Sequence, residues 1–197
     1  MRPLPFVWPY AAVFWLLTLW IYAPEFAIVG RGGKNLKSAD SKDSGSMAVI
    51  MLGQWVALFA GYPAAFVPRF RVPPSLNLAF FAGGMLVMLA GSLLRRHCFR
   101  ILGEFFTGNV QARADQPVID RGAYHFVRHP SYTGGILMFI GTGLALGSWA
   151  SVAILFVASV AVYAYRIHVE ERALLQTIGE PYAAYMRSRK RLIPFIV

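Results

Sequence analysis

The sequence predicts an all-α integral membrane protein with about five transmembrane helices, of which the last two form a C-terminal hairpin. The first observation is compositional: 57% of the 197 residues are hydrophobic and only 14% are charged, so too little polar surface remains for a soluble domain. The second is a run of 36 residues, from 130 to 165, without an Asp, Glu, Lys or Arg. The third is a set of three shorter apolar stretches, each about as long as one bilayer crossing.

The N-terminal part of the chain, residues 1–94, is predicted to hold three transmembrane helices. They fall at residues 6–29, where Glu25 is the only charged residue, and at residues 47–67 and 73–94, which carry no charge. A transmembrane helix needs about 20 predominantly apolar residues, so each stretch supplies one crossing. A signal peptide is a poorer explanation of the first stretch, because its apolar core would span only about 7–15 residues.

The uncharged run at residues 130–165 predicts two helices folded into a hairpin. A single helix of that length would extend about 54 Å, nearly twice the thickness of the bilayer core. The Gly-Ser-Trp sequence at residues 147–149 favours a turn with an interfacial aromatic ring at the middle of the run. Folding there brings the polar clusters at 128–132 and 166–171 to the same membrane face. Ionisable groups in such a place predict a functional site.

The remaining segments are predicted to lie outside the apolar spans. Residues 30–46 have the composition of a flexible loop, and residues 107–121 form a polar loop. Residues 95–106 alternate basic and apolar side chains, which predicts that the third helix continues past the membrane or lies along it. The helix after the hairpin is expected to end at Gly179 as a C-cap, and residues 180–181, Glu-Pro, should start another element.

The basic residues predict the orientation of the chain. Of its 19 Lys and Arg residues, all but Arg2, Arg69 and Arg71 follow the first, third or fifth predicted helix. With five crossings these regions share one face, so the positive-inside rule places them and the C-terminus in the cytoplasm. Basic residues beside span ends favour anionic lipid over nucleic acid as a partner. The short chain and the brief loop after the first span are typical of a prokaryotic inner membrane protein.

Two polar residues four positions apart, Arg166 and Glu170, are the first candidates for a site. On one helical face they can form an ion pair, and alone such a pair would be structural. Closure of the hairpin, however, would turn it towards a loop that holds Gln111, Gln116 and His129. We therefore expect these groups to meet at the mouth of the hairpin.

Other motif-like patterns predict no site of their own. His125 and His129 are also four apart, but a proline follows directly and no third ligand stands at a diagnostic spacing, so we predict no metal site. Residues 30–33, Gly-Arg-Gly-Gly, lack the preceding strand that a dinucleotide-binding loop requires, so we expect no Rossmann sheet. The fourth helix repeats glycine, which favours close helix packing and could also leave room for a flat cofactor.

Four motifs, in this order and spacing, resemble the isoprenylcysteine carboxyl methyltransferase family and its wider phospholipid methyltransferase relatives. They are Arg-His-Pro-Ser-Tyr-Thr-Gly at residues 128–134, Arg-x-x-x-Glu-Glu at 166–171, Gly-Glu-Pro-Tyr-Ala-Ala-Tyr at 179–185 and Arg-Leu-Ile-Pro-Phe at 191–195. The resemblance covers roughly residues 105–197. The combination is specific, whereas the first three predicted helices match only in being apolar.

The resemblance implies methyl transfer from S-adenosylmethionine, performed by a catalytic region at residues 95–197 of a single membrane domain. It implies a cytoplasmic cofactor pocket between the polar loop and the hairpin mouth. Carried over by position, Arg166 would face the methyl acceptor, and Arg166 and Glu170 would be the catalytic residues. The implied cofactor contacts are Gln111, Gln116, Pro117, Val118, Ile119, Tyr124, His129, Pro130, Ser131, Tyr132 and Glu170.

These roles agree with the chemistry of the side chains. Glu170 can oppose the positive charges of S-adenosylmethionine, and Arg166 can hold an acceptor carboxylate through two hydrogen bonds. A carboxylate needs no general base, so the best hypothesis is carboxyl methylation of an isoprenylcysteine-like, lipophilic acceptor that enters from the bilayer. An amine acceptor would need a base, for which Glu170 or Glu171 are the candidates.

Three alternatives remain open from the sequence. One is N-methylation of an amino phospholipid. Another is an NADPH-dependent reduction, because sterol reductases share a similar C-terminal module. The last is a membrane protein that keeps this fold without catalysis. The oligomeric state is not predicted.

Overall fold

The computed structural model describes residues 2–35, 45–106 and 116–193, and within these ranges the chain is helical. The backbone of the described segments forms six α-helices, with short 3-10 turns between them and two isolated β-bridges. The helices are α1 (Tyr10–Asn35), α2 (Ser46–Ala64), α3 (Asn77–Leu102), α4 (Pro130–Ala145), α5 (Trp149–Ile178) and α6 (Glu180–Ser188).

Three of these helices are long and apolar enough to cross a bilayer, judged by length and composition. They are α2, α5 and α3 together with the turn before it, Pro74–Leu102. The crossing of α1 and α4, and with it the count of five, stays a prediction. The first helix runs six residues beyond its predicted end at 29. Three of those residues are glycines, each of which costs about 1 kcal/mol in a helix, so the local composition predicted an earlier end. The third helix continues to Leu102, as the alternation of basic and apolar residues after residue 94 predicted, so Arg95 lies inside a helix.

The hairpin of α4 and α5 is built as predicted. The turn contains Gly147, whose φ of 65° is the left-handed conformation that glycine tolerates. Ser148 caps α5 by accepting a hydrogen bond from the Ser151 amide at 3.3 Å. Gly179 then lies between the end of α5 and the start of α6. Local sequence signals therefore set both ends of α5.

Glycine brings the backbones of α3 and α4 into contact. A Cβ atom added to Gly91 of α3 would lie 2.5 Å from the Gly134 carbonyl oxygen, and one added to Gly84 would lie 2.5 Å from the Gly141 carbonyl oxygen. Small residues at such positions are what membrane helices use for close approach. On the next face of α4, Gly135 makes room for the hydroxyl end of a tyrosine on α5.

The helix connections separate into two ends of the bundle. At one end, the Arg71 Nη2 atom donates to the Arg2 carbonyl at 3.5 Å, and the Val72 amide donates to the Gly147 carbonyl at 3.0 Å. The N-terminal segment, the α2–α3 connection and the hairpin turn therefore meet. The polar clusters of the hairpin lie at the opposite end, where α4 begins and α5 and α6 meet.

Candidate functional site

A cavity that is partly open to solvent lies at the mouth of the hairpin. Its walls come from the end of α3, the segment before α4, the first turn of α4, the end of α5 and α6. The lining residues are Leu102, Phe105, Phe106, Gln116, Pro117, Val118, Ile119, Tyr124, Arg128, His129, Ser131, Tyr132, Arg166, Glu170, Leu174, Ile178, Tyr182 and Tyr185.

The structure brings most of the predicted site residues together around this cavity. The predicted residues that line it are Gln116, Pro117, Val118, Ile119, Tyr124, His129, Ser131, Tyr132, Arg166 and Glu170. Pro130 is instead buried at the first position of α4, where a fixed φ and a missing N–H suit the start of a helix. Gln111 lies outside the described residues. The chemical roles of all these predicted site residues stay predictions.

Tyr132 connects the two ionisable groups at the centre of the cavity. Its hydroxyl donates to the Glu170 Oε2 atom at 2.5 Å and accepts from the Arg166 Nε atom at 3.3 Å. The Arg166 Nη1 atom also donates to the Ser46 hydroxyl at 2.5 Å, at the start of α2. Sequence spacing predicted that Arg166 and Glu170 could pair. It did not identify Tyr132 or Ser46 as partners in this network, because these two residues lie on other helices.

The ring of Tyr132 is held between two other rings. The His129 ring stacks on it with centroids 5.6 Å apart, and the Tyr163 ring with centroids 5.0 Å apart. The Tyr163 hydroxyl accepts a hydrogen bond from the Gln54 Nε2 atom of α2 at 3.2 Å. A polar glutamine within an apolar span was the available sequence signal for this contact. The stack fixes where the Tyr132 hydroxyl points.

Glu171 has a different environment from its neighbour Glu170. Its Oε1 atom accepts from the Arg128 Nε atom at 2.9 Å and lies 3.2 Å from the His129 Nε2 atom, and its Oε2 atom accepts from the Arg191 Nη2 atom at 3.0 Å. Glu171 is buried and is not among the described residues that line the cavity. It holds the C-terminal tail against the start of α4, so Glu170 is the one of the two candidate bases that lines the cavity.

The tail itself pairs with the residues before α4. The Arg128 amide donates to the Lys190 carbonyl at 2.8 Å, and the His129 amide donates to the Arg191 carbonyl at 2.9 Å. The Thr133 hydroxyl donates to the carbonyl of Leu192 at 2.8 Å. The fourth motif of the sequence thus fixes the backbone of the first motif, which forms one wall of the cavity.

The tyrosines outside the membrane spans are neutral at physiological pH. Burial, the largest cause, and nearby Asp120 raise the pKa of Tyr185 to about 12. Burial also raises the pKa of Tyr124 and of Tyr182 well above the usual range. The Tyr185 hydroxyl donates to the Tyr124 carbonyl at 2.6 Å. These hydroxyls can serve the cavity as hydrogen-bonding groups, and not as bases.

The histidines do not form a metal centre within the described part of the chain. No group of three His, Cys, Asp or Glu residues there could hold a metal ion. The Nδ1 atom of His125 lies 3.2 Å from the Asp120 Oδ1 atom, whereas His129 turns to Glu171. The two histidines thus have separate partners.

Comparisons with known proteins agree with this geometry. Residues 84–176 match the model of the isoprenylcysteine carboxyl methyltransferase (ICMT) family. A protein-S-isoprenylcysteine O-methyltransferase of Tribolium castaneum is 32% identical over 144 residues, which are 72% of this chain and 51% of that protein. Protein-S-isoprenylcysteine O-methyltransferase B of Arabidopsis thaliana is 29% identical over 115 residues, or 57% of this chain and 58% of that protein.

A solved structure is also similar in fold. The structure of the eukaryotic intramembrane Ras methyltransferase ICMT has a TM-score of 0.61 and 26% sequence identity, covering 75% of this chain and 52% of that one. This chain therefore spans only 51–58% of the length of the relatives named here. The apolar helices and the shared fold make it an integral membrane protein. The predicted resemblance of this chain to the isoprenylcysteine carboxyl methyltransferase family is thus confirmed.

Proposed function

We propose that the protein is an S-adenosylmethionine-dependent membrane methyltransferase that methylates the carboxylate of an isoprenylcysteine-like, lipophilic acceptor. The observation that carries this proposal is the Tyr132 hydroxyl between Arg166 and Glu170 in one cavity. An anion-binding group and a cation-binding group are thereby held side by side at the mouth of a membrane hairpin. The relatives named above carry the same activity in their names.

The cavity suits S-adenosylmethionine in the character of its walls. Ligand sites of this kind combine apolar walls with a few polar groups that fix orientation. Phe105, Phe106 and Ile119 supply apolar surface for a purine, and Glu170 supplies negative charge for a cationic group. When bound, the cofactor supplies an electrophilic methyl group on a sulfonium. The segment at residues 116–119 would hold it together with Tyr124 and the first turn of α4.

Arg166 is the group we assign to the acceptor carboxylate. Its guanidinium is held by the hydroxyls of Tyr132 and Ser46, so it is oriented before any acceptor arrives. A planar guanidinium matches a carboxylate through two parallel hydrogen bonds. Because that carboxylate is already deprotonated, the protein contributes alignment and the exclusion of water, not proton abstraction. An amine acceptor would need a base, for which Glu170 is the candidate that lines the cavity.

We propose five crossings with the cavity at the cytoplasmic face, because the basic residues cluster at that end of the bundle. The acceptor would enter from the bilayer between helices. A prokaryotic inner membrane stays a prediction, since the relatives named above are eukaryotic.

The test is a titration in detergent of S-adenosylmethionine against NADPH, followed by methyl transfer to a farnesylated cysteine. We expect binding of S-adenosylmethionine alone and formation of a base-labile methyl ester. Binding of NADPH alone would favour a reductase. Transfer to phosphatidylethanolamine but not to the farnesylated cysteine would favour the phospholipid alternative. Binding of neither cofactor would favour a non-catalytic protein.

A further inference from the structure

An ion pair with a buried arginine joins three helices beneath the cavity. The Arg95 Nε and Nη2 atoms on α3 each donate to one oxygen of Glu25 on α1, both at 2.6 Å. The Arg95 Nη1 atom donates to the Ser131 carbonyl at 2.9 Å and to the Ser131 hydroxyl at 3.1 Å, in the first turn of α4. The Arg95 side chain is 8% exposed, and the Glu25 side chain is 25% exposed. One guanidinium thus connects the first, third and fourth helices.

An ion pair at such depth needs a reason. Removing the Arg95 charge from water costs several kcal/mol, so its pairing with Glu25 is weak evidence for stability alone. Attachment of α1 to α3 has another source nearby, because the Arg96 Nη2 atom donates to the Trp20 carbonyl at 2.6 Å and its guanidinium lies 4.1 Å from the Trp20 ring centroid. Arg96 therefore also attaches α1 to α3, and Arg95 differs from it in making a further contact with Ser131 of α4.

Ser131 connects this pair to the cavity. It lines the cavity itself and directly precedes Tyr132, whose hydroxyl joins Glu170 to Arg166. Both oxygens of Glu25 bind Arg95, so they fix the plane of the guanidinium. That plane aims the remaining nitrogen at the first turn of α4. Glu25 lies outside the residues that match the family model.

We propose that the Glu25–Arg95 pair is a positioning device for the cavity. It sets the first turn of α4 so that Tyr132 holds Glu170 and Arg166 in the arrangement that binds cofactor and acceptor. Neither Glu25 nor Arg95 is among the described residues lining the cavity, so both act through Ser131 and Tyr132. This inference rests on the proposed function.

A double-mutant cycle tests whether the pair acts through Tyr132. Arg95→Lys keeps a positive charge but loses the planar fork that reaches Glu25 and Ser131 together. We expect it to weaken S-adenosylmethionine binding about tenfold in the wild-type background and less than about twofold in the Tyr132→Phe background, where the connection is already cut. The matched control is Arg96→Lys, which alters an arginine that binds α1 and should change affinity less than about twofold.

The measurements are calorimetric affinity for S-adenosylmethionine, turnover on a farnesylated cysteine, and the thermal midpoint of each variant. Equal weakening by Arg95→Lys in both backgrounds would overturn the positioning role, because a purely structural effect adds to that of Tyr132→Phe. A lowered thermal midpoint with unchanged affinity would overturn it as well. If Arg95→Lys does not fold, Glu25→Gln enters the same cycle with the same expectation. Failure of the wild type to bind S-adenosylmethionine would overturn the proposed function and this role with it.

Discussion

Replacement of Glu170 by glutamine removes one negative charge from the cavity with little change of shape. The Tyr132 hydroxyl donates to the Glu170 Oε2 atom at 2.5 Å, and a glutamine amide oxygen can accept the same hydrogen bond. The Arg166 contacts with Tyr132 and Ser46 do not involve Glu170. Glu170→Gln therefore isolates the effect of charge on cofactor binding.

The expected loss of cofactor affinity follows from the hydrogen bond between residue 170 and the cofactor, which changes from a charged to a neutral one. A hydrogen bond to a charged group contributes about 1.5–3 kcal/mol, whereas a neutral one contributes about 0.5–1.5 kcal/mol. Since the geometry around Tyr132 is retained, the variant should lose the difference, about 1–2 kcal/mol. That corresponds to a Kd for S-adenosylmethionine raised about 5- to 30-fold.

Calorimetric titration of the detergent-solubilised protein measures this Kd. The matched control is Glu180→Gln, because the Glu180 side chain is 76% exposed on α6 and pairs with Arg187 away from the cavity. It makes the same change of charge and should shift the Kd less than about twofold. Thermal unfolding of both variants checks that the fold is intact. Equal Kd values for the two folded variants would refute the assignment of Glu170 to the cofactor.

Arg166→Lys should lower turnover about tenfold or more and leave cofactor affinity within about threefold, because lysine keeps the charge but lacks the planar fork. Full turnover of this variant would contradict a role of Arg166 in acceptor binding. Gly91→Ala should lower the thermal midpoint, at a cost of about 1–3 kcal/mol, because its new Cβ would lie 2.5 Å from a carbonyl oxygen of α4. The control is Gly83→Ala, whose Cβ would meet nothing within 4 Å and which should leave the midpoint unchanged. Lys190→Cys in a Cys98→Ser background should react with an impermeant thiol reagent only from the cytoplasmic side, and labelling only from outside would reverse the orientation.

The sequence alone determined the helical elements of this protein and the candidate site residues in its C-terminal half. The uncharged run of 36 residues is too long for one crossing, and Gly147 marks where it must turn. Capping by Gly179 is equally local, since it depends on one backbone conformation. Arg166 and Glu170 share a face because the helical repeat places positions four apart together. Each of these features depends on residues close in the chain.

Only the tertiary structure decided which side chains meet across helices. Glu25 and Arg95 are 70 residues apart, and Ser46 and Arg166 are 120 apart, so no periodicity of the sequence connects them. Their contacts depend on how closely the helices pack, which the facing glycines of α3 and α4 allow.

Tertiary structure also separated two glutamates that are adjacent in the sequence. Consecutive residues of an α-helix point about 100° apart, so Glu170 and Glu171 face different neighbours. Glu170 lines the cavity, whereas Glu171 binds Arg128 and Arg191. Which of the two faces the cavity depends on the rotation of α5 against its neighbours, and that rotation is set by packing along the whole helix, not by the local motif.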